Sequence, residues 1–254
     1  MSQSIEKPST IIFGATGGIG SALARRLSVA GWRLALCARG QERLNLLGGE
    51  LNAHIEPADA TDSQSVENAF AAVCEKFGRL DGVVNCCGSL LLKPAHLTTG
   101  EEWAHTLNAN LTTAFHVLRG AASRMMRSGG GSIVLLSSAV AQRGMINHEA
   151  IAAAKAGVVG LAQSAAATYA RYNIRVNCVA PGLTRTPLTE SLTKNEASLK
   201  ASAALHPLGR IGEPNEVASA IAWLLNPEQC WVTGQVIAVD GGLSSVQPRL
   251  ALAV

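Results

Sequence analysis

Gly14-Ala15-Thr16-Gly17-Gly18-Ile19-Gly20 follows a short apolar run and opens an Ala/Leu-rich segment. Glycines let a backbone turn sharply and approach a pyrophosphate closely, and a helix beginning here offers free N–H groups at its positive dipole end. In a strand–turn–helix setting that chemistry is nucleotide binding. Metal chemistry is not suggested, because the six histidines lack ligand spacing among themselves or with the six cysteines. Cys37, Cys74, Cys86, Cys87, Cys178 and Cys230 lie in apolar segments without a C-x-x-C pair. Adjacent Cys86 and Cys87 are too strained for an ordinary disulfide. All six read as reduced core residues of a cytoplasmic protein.

The elements that must hold such a turn follow from pattern. Thr10–Phe13 reads as a strand, with a helix after the glycines through about Ala30. Arg33–Ala38 is a second strand, a helix begins near Gln41, and Ile55 lies in a brief third strand. Val66, Ala69, Phe70, Val73 and Phe77 recur at helical spacing, and Gly78 stops that helix. Gly82–Asn85 is the fourth strand. A long helix around Glu102–Arg127 leads to a fifth, Ser132–Ser137. A helix over about Glu149–Tyr172 precedes a sixth, Arg175–Val179. A polar stretch follows to Pro207, then a helix at Glu216–Leu225 and a last strand, Gln235–Val239.

Strand–helix alternation at this spacing implies a Rossmann-type α/β fold, a doubly wound parallel sheet with right-handed crossovers. At about 150 residues per domain, 254 residues would allow one or two, but no linker or compositional seam divides them. The reading is a single domain. With 48% apolar and 15% charged residues, the chain can close a large core and is not a disordered one. The net charge of +3 is spread out, without a basic run for nucleic acid or a membrane surface. No window reaches the ~18 consecutive apolar residues of a membrane span. Met1–Thr10 lacks the apolar stretch of a signal peptide. A doubly wound sheet binds its ligand beyond the carboxyl ends of its strands, which here carry Gly14, Arg39, Asp59, Asn85, Ser138 and Pro181.

Several ordered motifs over Ser9–Leu243 resemble the short-chain dehydrogenase/reductase family. They are the Gly-x-x-x-Gly-x-Gly turn, Asp59, Asn85-Cys86-Cys87-Gly88, Ser138, Lys155, Pro181-Gly182 and Val239-Asp240-Gly241-Gly242. The resemblance implies a seven-stranded sheet, a nicotinamide dinucleotide, a small-molecule substrate and a homo-oligomer, a tetramer by family habit or else a dimer. It places the cofactor on Gly14, Thr16, Gly18, Ile19, Gly20, Asp59, Ala60, Asn85, Gly88, Lys155, Pro181, Gly182 and Thr186. Which dinucleotide is argued from charge. An acid at the end of the second strand would accept ribose hydroxyls, whereas this chain has Cys37-Ala38-Arg39 there, a guanidinium suited to a 2′-phosphate. NADP(H) is therefore favoured over NAD, with a solvated surface arginine as the alternative.

Family resemblance also assigns the proton chemistry. Ser138 matches the Ser that binds the substrate oxygen, Lys155 the Lys that holds the ribose, and Asn110 the Asn that anchors a water. The position four residues before the Lys, a proton-donating Tyr in the family, is Ile151. Tyr169 lies 14 residues beyond Lys155, or ~21 Å along a helix axis. His148, seven residues before Lys155, is the nearest candidate acid, at the wider spacing of the enoyl-thioester reductase branch. A polar loop histidine is the bland alternative, and a water held by Ser138 and Lys155 is another possible donor.

Phe13 and Cys86 also depart from the family pattern, at positions that help tie the first strand to the fourth. Thr184–Pro207 resembles a mobile substrate lid. Leu90, Leu91, Leu92, Met145, Leu183 and Leu188 are candidates for an apolar lining. Two classes of function stay open: an NADP(H)-dependent oxidoreductase acting on a carbonyl, alcohol or activated double bond with a non-Tyr donor, or a catalytically inactive NADP(H)-binding sensor or assembly protein.

Overall fold

The computed structural model describes residues 7–247, so the leader reading over residues 1–6 lies outside it. Seven parallel strands form one sheet: β1 (Ser9–Phe13), β2 (Arg33–Ala38), β3 (His54–Pro57), β4 (Gly82–Asn85), β5 (Gly131–Leu136), β6 (Ile174–Pro181) and β7 (Val236–Val239). Their order is β3-β2-β1-β4-β5-β6-β7. Strand order reverses between β1 and β4, which opens a crevice at the carboxyl ends of both. β1 and β4 are buried from end to end, and β2, β5 and β6 at all but one residue each, as helices on both faces require.

The helices are α1 (Gly18–Val29), α2 (Gln41–Leu51), α3 (Ser63–Phe77), α4 (Gly100–Leu107), α5 (Thr113–Met125), α6 (Glu149–Tyr169), α7 (Glu190–Thr193), α8 (Glu196–Leu205) and α9 (Pro214–Leu225). One core, centred on Phe13, Phe70, Val117, Ile133 and Val158, lies under α3, α5 and α6. The other, centred on Leu23, Leu36, Leu44, Val134 and Ile221, lies under α1, α2 and α9. The stretch Glu149–Tyr172 has the length and apolarity of a membrane span by composition alone. Here it is a core helix against the sheet, with Ala154, Val158, Ala162 and Ala166 buried.

Two expectations are corrected. The long helix expected over Glu102–Arg127 is broken into α4 and α5 by a π-helical turn, Asn108–Thr112. Side chains there compete for backbone carbonyls: Asn110 Nδ2 donates to Thr106 O (2.9 Å) and Thr113 Oγ1 to Ala109 O (3.1 Å). The polar stretch before Pro207 holds two short helices, α7 and α8. Asn195 caps the second by accepting the Ser198 N–H at 3.0 Å.

The tie between β1 and β4 is intact. Thr10–Phe13 pairs in register with Gly82–Asn85, and Cys86 N donates to Phe13 O at 2.9 Å. Phe13, 1% exposed, packs its ring 5.4 Å from that of Phe70. Backbone bonds and aromatic packing thus join the strands without the polar pair expected from the family pattern. Replacing Phe13 by Ala should cost about 3–5 kcal/mol through the cavity left behind. A urea midpoint shift corresponding to under 1 kcal/mol would show that the ring is dispensable.

Candidate active site

The glycine turn is shaped for close approach. Gly14 has φ +73°, and a Cβ there would stand 2.8 Å from the Cys86 carbonyl carbon. At Gly20 a Cβ would meet Gly14 O at 2.3 Å, so this glycine lets α1 seat on the turn from beneath. Gly17 caps α1 without a side-chain hydrogen bond, which leaves the first-turn N–H groups around Gly18, Ile19 and Gly20 available for an anion. Thr186 crosses above: a Cβ on Gly18 would lie 2.7 Å from its Cγ2.

Arg39 is exposed at the end of β2. Among the described residues it has no hydrogen-bond or ion-pair partner. Its charge is felt by Asp59, two residues past the end of β3. Burial works to raise the Asp59 pKa, but it is held below the usual range by the Thr61 N–H (2.9 Å), the Thr61 hydroxyl (2.7 Å) and the Arg39 charge. Ala60 beside it is buried, and its carbonyl meets His116 Nδ1 at 3.1 Å. Asn85 works inward: its Oδ1 accepts the Cys87 N–H (3.1 Å) and sets the turn that carries Gly88.

One cavity of about 390 Å³ lies beyond the ends of β4, β5 and β6, and Ser138, Lys155, Asn110, His148 and Ile151 all line it. Ile19, Gly88, Pro181, Gly182 and Thr186 line the same space. His148, Ile151 and Lys155 are spaced to share one face of α6 and its first turn. Lys155 and the end of β5 are clamped both ways: Lys155 Nζ donates to Leu136 O and Ser137 Oγ donates to Lys155 O, each at 2.9 Å. Burial pushes the Lys155 pKa down to about 8, partly countered by the nearby Cys87, Cys178 and Cys86 thiols. Those thiols are themselves pushed up by burial, Cys87 and Cys178 to about 12, so they are not nucleophiles at neutral pH.

Asn110 is buried in the π turn and holds the loop opposite. Its Oδ1 accepts the Ser89 N–H (3.2 Å) while Nδ2 donates to Ser89 Oγ (3.0 Å). A Cβ on Gly88 would crowd Asn110 Oδ1 at 2.9 Å, while Lys155 Nζ at 3.5 Å would be in ordinary contact, so the glycine makes room for the Asn110 amide. Ser138 Oγ accepts a long bond from Val140 N (3.4 Å), which leaves its proton free to donate. His148 Nδ1 lies 2.6 Å from Ile146 O; a carbonyl only accepts, so Nδ1 carries the proton and Nε2 is left for a ligand.

His206 was not singled out by sequence, since nothing marks it apart from Pro207 beside it. It is buried in the cavity wall, with Nδ1 donating to Ser202 O (2.7 Å) and Nε2 accepting from Leu183 N (3.3 Å). With both nitrogens engaged, it is a strut between α8 and the end of β6 rather than a proton donor. Leu90, Leu92, Met145, Leu183 and Leu188 line the cavity as expected, but Leu91 does not. In an extended segment alternate side chains face opposite ways, which turns Leu91 out. Tyr169 and Tyr172 pack on the core under α6 and take no part in the cavity.

Residues 14–244 match the family model described as enoyl-(acyl carrier protein) reductase. The chain belongs to the short-chain dehydrogenase/reductase family. A tropinone reductase homolog of Arabidopsis thaliana is 36% identical over 97% of this chain and 98% of its own length. The 3-oxoacyl-[acyl-carrier-protein] reductase of Thermotoga maritima is likewise 36% identical, over 94% of this chain and 98% of its own. Among solved structures, a variant of the actinorhodin polyketide ketoreductase with NADPH superposes with TM-score 0.90 at 32% identity, covering 95% of this chain and 98% of that one. Family members bind a nicotinamide cofactor, and the residues here fit one. Among the described residues Lys155 Nζ donates to a single acceptor, the first turn of α1 has no side-chain cap, and Arg39 at the end of β2 has no ion-pair partner.

The Lys155 shift sets a pH signature. Unfolded, the amine keeps its proton to about pH 10.5, while in the fold it releases it near 8. Between these values the unfolded state binds more protons, so this group's contribution makes stability rise with pH. Relative to Lys155→Met, the wild type should gain on the order of 3 kcal/mol between pH 7.5 and 10.5. Parallel urea midpoints for the two proteins across that range would refute the buried, strained amine.

Proposed function

We propose that the protein is an NADP(H)-dependent oxidoreductase that reduces a carbonyl or activated double bond, or runs the reverse reaction on an alcohol, with His148 in place of a tyrosine as the proton carrier. The supporting observation is that Ser138, Lys155, Asn110 and His148 line one cavity that no tyrosine reaches, with Ile151 at the position the resemblance gives to the phenol. An NADPH-bound ketoreductase among the structural neighbours agrees with this choice of cofactor.

The pyrophosphate would lie on Gly14, Thr16, Gly18 and the α1 N-terminus, supported by Gly20. The adenosine half would lie along Arg39, Asp59 and Ala60. The nicotinamide half would rest against Ile19, Gly88, Pro181, Gly182 and Thr186, with Lys155 on its ribose. When bound, the dinucleotide supplies or accepts the hydride at the substrate carbon. Ser138 Oγ–H donates to the substrate oxygen and fixes it. In carbonyl reduction that oxygen takes the proton from the imidazolium Nε2 of His148, and solvent reprotonates the ring. Asn110 positions the Gly88–Ser89 turn that walls the site. Residues 184–207 form the lid, with Leu188, Leu192 and Leu205 facing the cavity. The working form is a cytoplasmic homo-oligomer, a tetramer or dimer, which accords with exposed Trp103, Phe115, Trp223 and Trp231.

His148→Ala should lower kcat by about 10²–10⁴ while NADPH affinity, measured by calorimetry, stays put; an unaltered rate excludes the histidine. Should the wild type bind NADPH without oxidising it across ketones, aldehydes and enoyl thioesters, while Ile151→Tyr turns over, the second reading holds, a binding protein lacking only its acid. That reading draws on Ile151 itself, apolar and 3% exposed in the cavity wall.

Cofactor choice is tested separately. Arg39→Glu removes a charge-assisted phosphate contact and adds repulsion, so NADPH affinity should fall about 10–100-fold while NADH affinity holds or improves. Equal losses for both dinucleotides would assign Arg39 no part in telling them apart.

A further inference from the structure

The reductase reading leaves open what flanks the reacting carbon, and the cavity's hydrogen-bonding capacity limits it. Beyond the site residues, the wall is built from Leu90, Leu92, Met145, Leu188, Leu192 and Leu205, and among the described residues no aspartate, glutamate or arginine lines it. Ile151 continues this apolar surface up to Ser138. Polar groups that do line it are largely consumed by the protein itself. Ser89 Oγ accepts from Asn110 (3.0 Å), Ser137 Oγ donates to Lys155 O (2.9 Å), and Thr184 Oγ1 donates to Gly182 O (3.1 Å). Thr189 Oγ1 donates to Thr184 O (2.6 Å) and lies 3.2 Å from Thr186 Oγ1, and both nitrogens of His206 are engaged.

What remains free among the described residues is concentrated at one end, Ser138 Oγ–H, His148 Nε2 and the spare protons of Lys155, with the hydroxyl protons of Ser89 and Ser202 as the exceptions. That set satisfies one substrate oxygen and a ribose. Beyond these it leaves only two scattered hydroxyls, too few for a row of substrate hydroxyls, and its two cationic groups are already engaged by the reacting oxygen and the ribose. The apolar character continues to the rim, where Leu92, Leu188 and Leu205 are 37%, 53% and 42% exposed.

We infer that the substrate is a ketone or aldehyde, or the matching alcohol, whose carbonyl is flanked by uncharged aliphatic or alicyclic groups, and that polyols, sugars and free keto acids are excluded. The inference rests on the reductase reading for the carbonyl and on the cavity for its neighbours. A polyhydroxylated ligand would bury hydroxyls against leucine, and a carboxylate would enter without a counter-ion of its own, Lys155 and His148 being taken by the ribose and the reacting oxygen.

The test is calorimetric titration of the full chain with NADP⁺ saturating, using 2-decanone, 9-oxodecanoate and fructose. 2-Decanone should bind at least tenfold more tightly than either of the others. Leu188→Asp and Leu205→Asp, both at exposed rim positions, should each weaken 2-decanone about tenfold. Equal or tighter binding of the keto acid or the ketose overturns the inference, as does binding of none of the three, or a 2-decanone affinity indifferent to both rim changes. NADPH oxidation is followed separately. A protein that binds 2-decanone but never reduces it removes the reductase reading and leaves the substrate class standing. One that turns over fructose in preference does the reverse.

Discussion

A buried ammonium organises this molecule. Lys155 sits at the junction of α6 and β5 with one internal acceptor, Leu136 O, and a charge removed from water with a single hydrogen bond is costly. That cost is borne because the surrounding geometry is fixed from several sides. Ser137 bonds back to the Lys155 carbonyl, Gly88 makes room for the Asn110 amide, and Asn110 in its π turn holds the facing loop. A glycine where a Cβ would crowd Asn110, a π turn and a serine tied from strand to helix thus surround the lysine. The spare protons of the amine point the argument to a ligand, since a ribose is a source of the oxygens the protein withholds.

With the lysine so placed, the position one helical turn earlier would ordinarily share its field, and Ile151 cannot. In the proposed reaction, proton transfer falls to the loop ahead of α6. That loop is held: Asn147 takes a left-handed conformation with φ +64° and its carbonyl accepts the Lys93 N–H at 2.8 Å. Asn tolerates this region better than most residues. The bond links the His148 loop to the 88–93 segment, and Lys93 is in turn paired with Glu102 at the start of α4. A histidine carried on such a loop is positioned by backbone bonds instead of by a rigid helix face.

Much of this was legible from residue order. Strands buried on both faces must be apolar throughout, so Gly82–Asn85 could be bounded to the residue, and Gly78 ended α3 because its φ of +77° suits no side chain well. Of the carboxyl ends named from sequence, Ser138 and Pro181 line the cavity. The π turn was not legible, because Asn110 and Thr113 act through side-chain bonds to the preceding turn that leave no trace in hydrophobic period. Nor were α7 and α8, short helices whose apolar residues face a cavity rather than the core. His206 was invisible for a different reason: its partners, Ser202 O and Leu183 N, are backbone atoms brought near by the lid's path.

The isoleucine and the apolar wall belong to one physical account. A phenol at position 151 would add a hydrogen-bonding group beside Ser138; Ile151 instead extends the leucine surface to the serine. In the proposed reaction, the scarcity of competing polar groups directs the substrate oxygen to the Ser138 hydroxyl and His148 Nε2, which line the same cavity. In a low-dielectric space each remaining hydrogen bond is stronger than it would be in water. Orientation of the carbonyl thus follows from the scarcity of partners, and the serine can set that orientation whether the proton comes from His148 or from a water held beside Lys155.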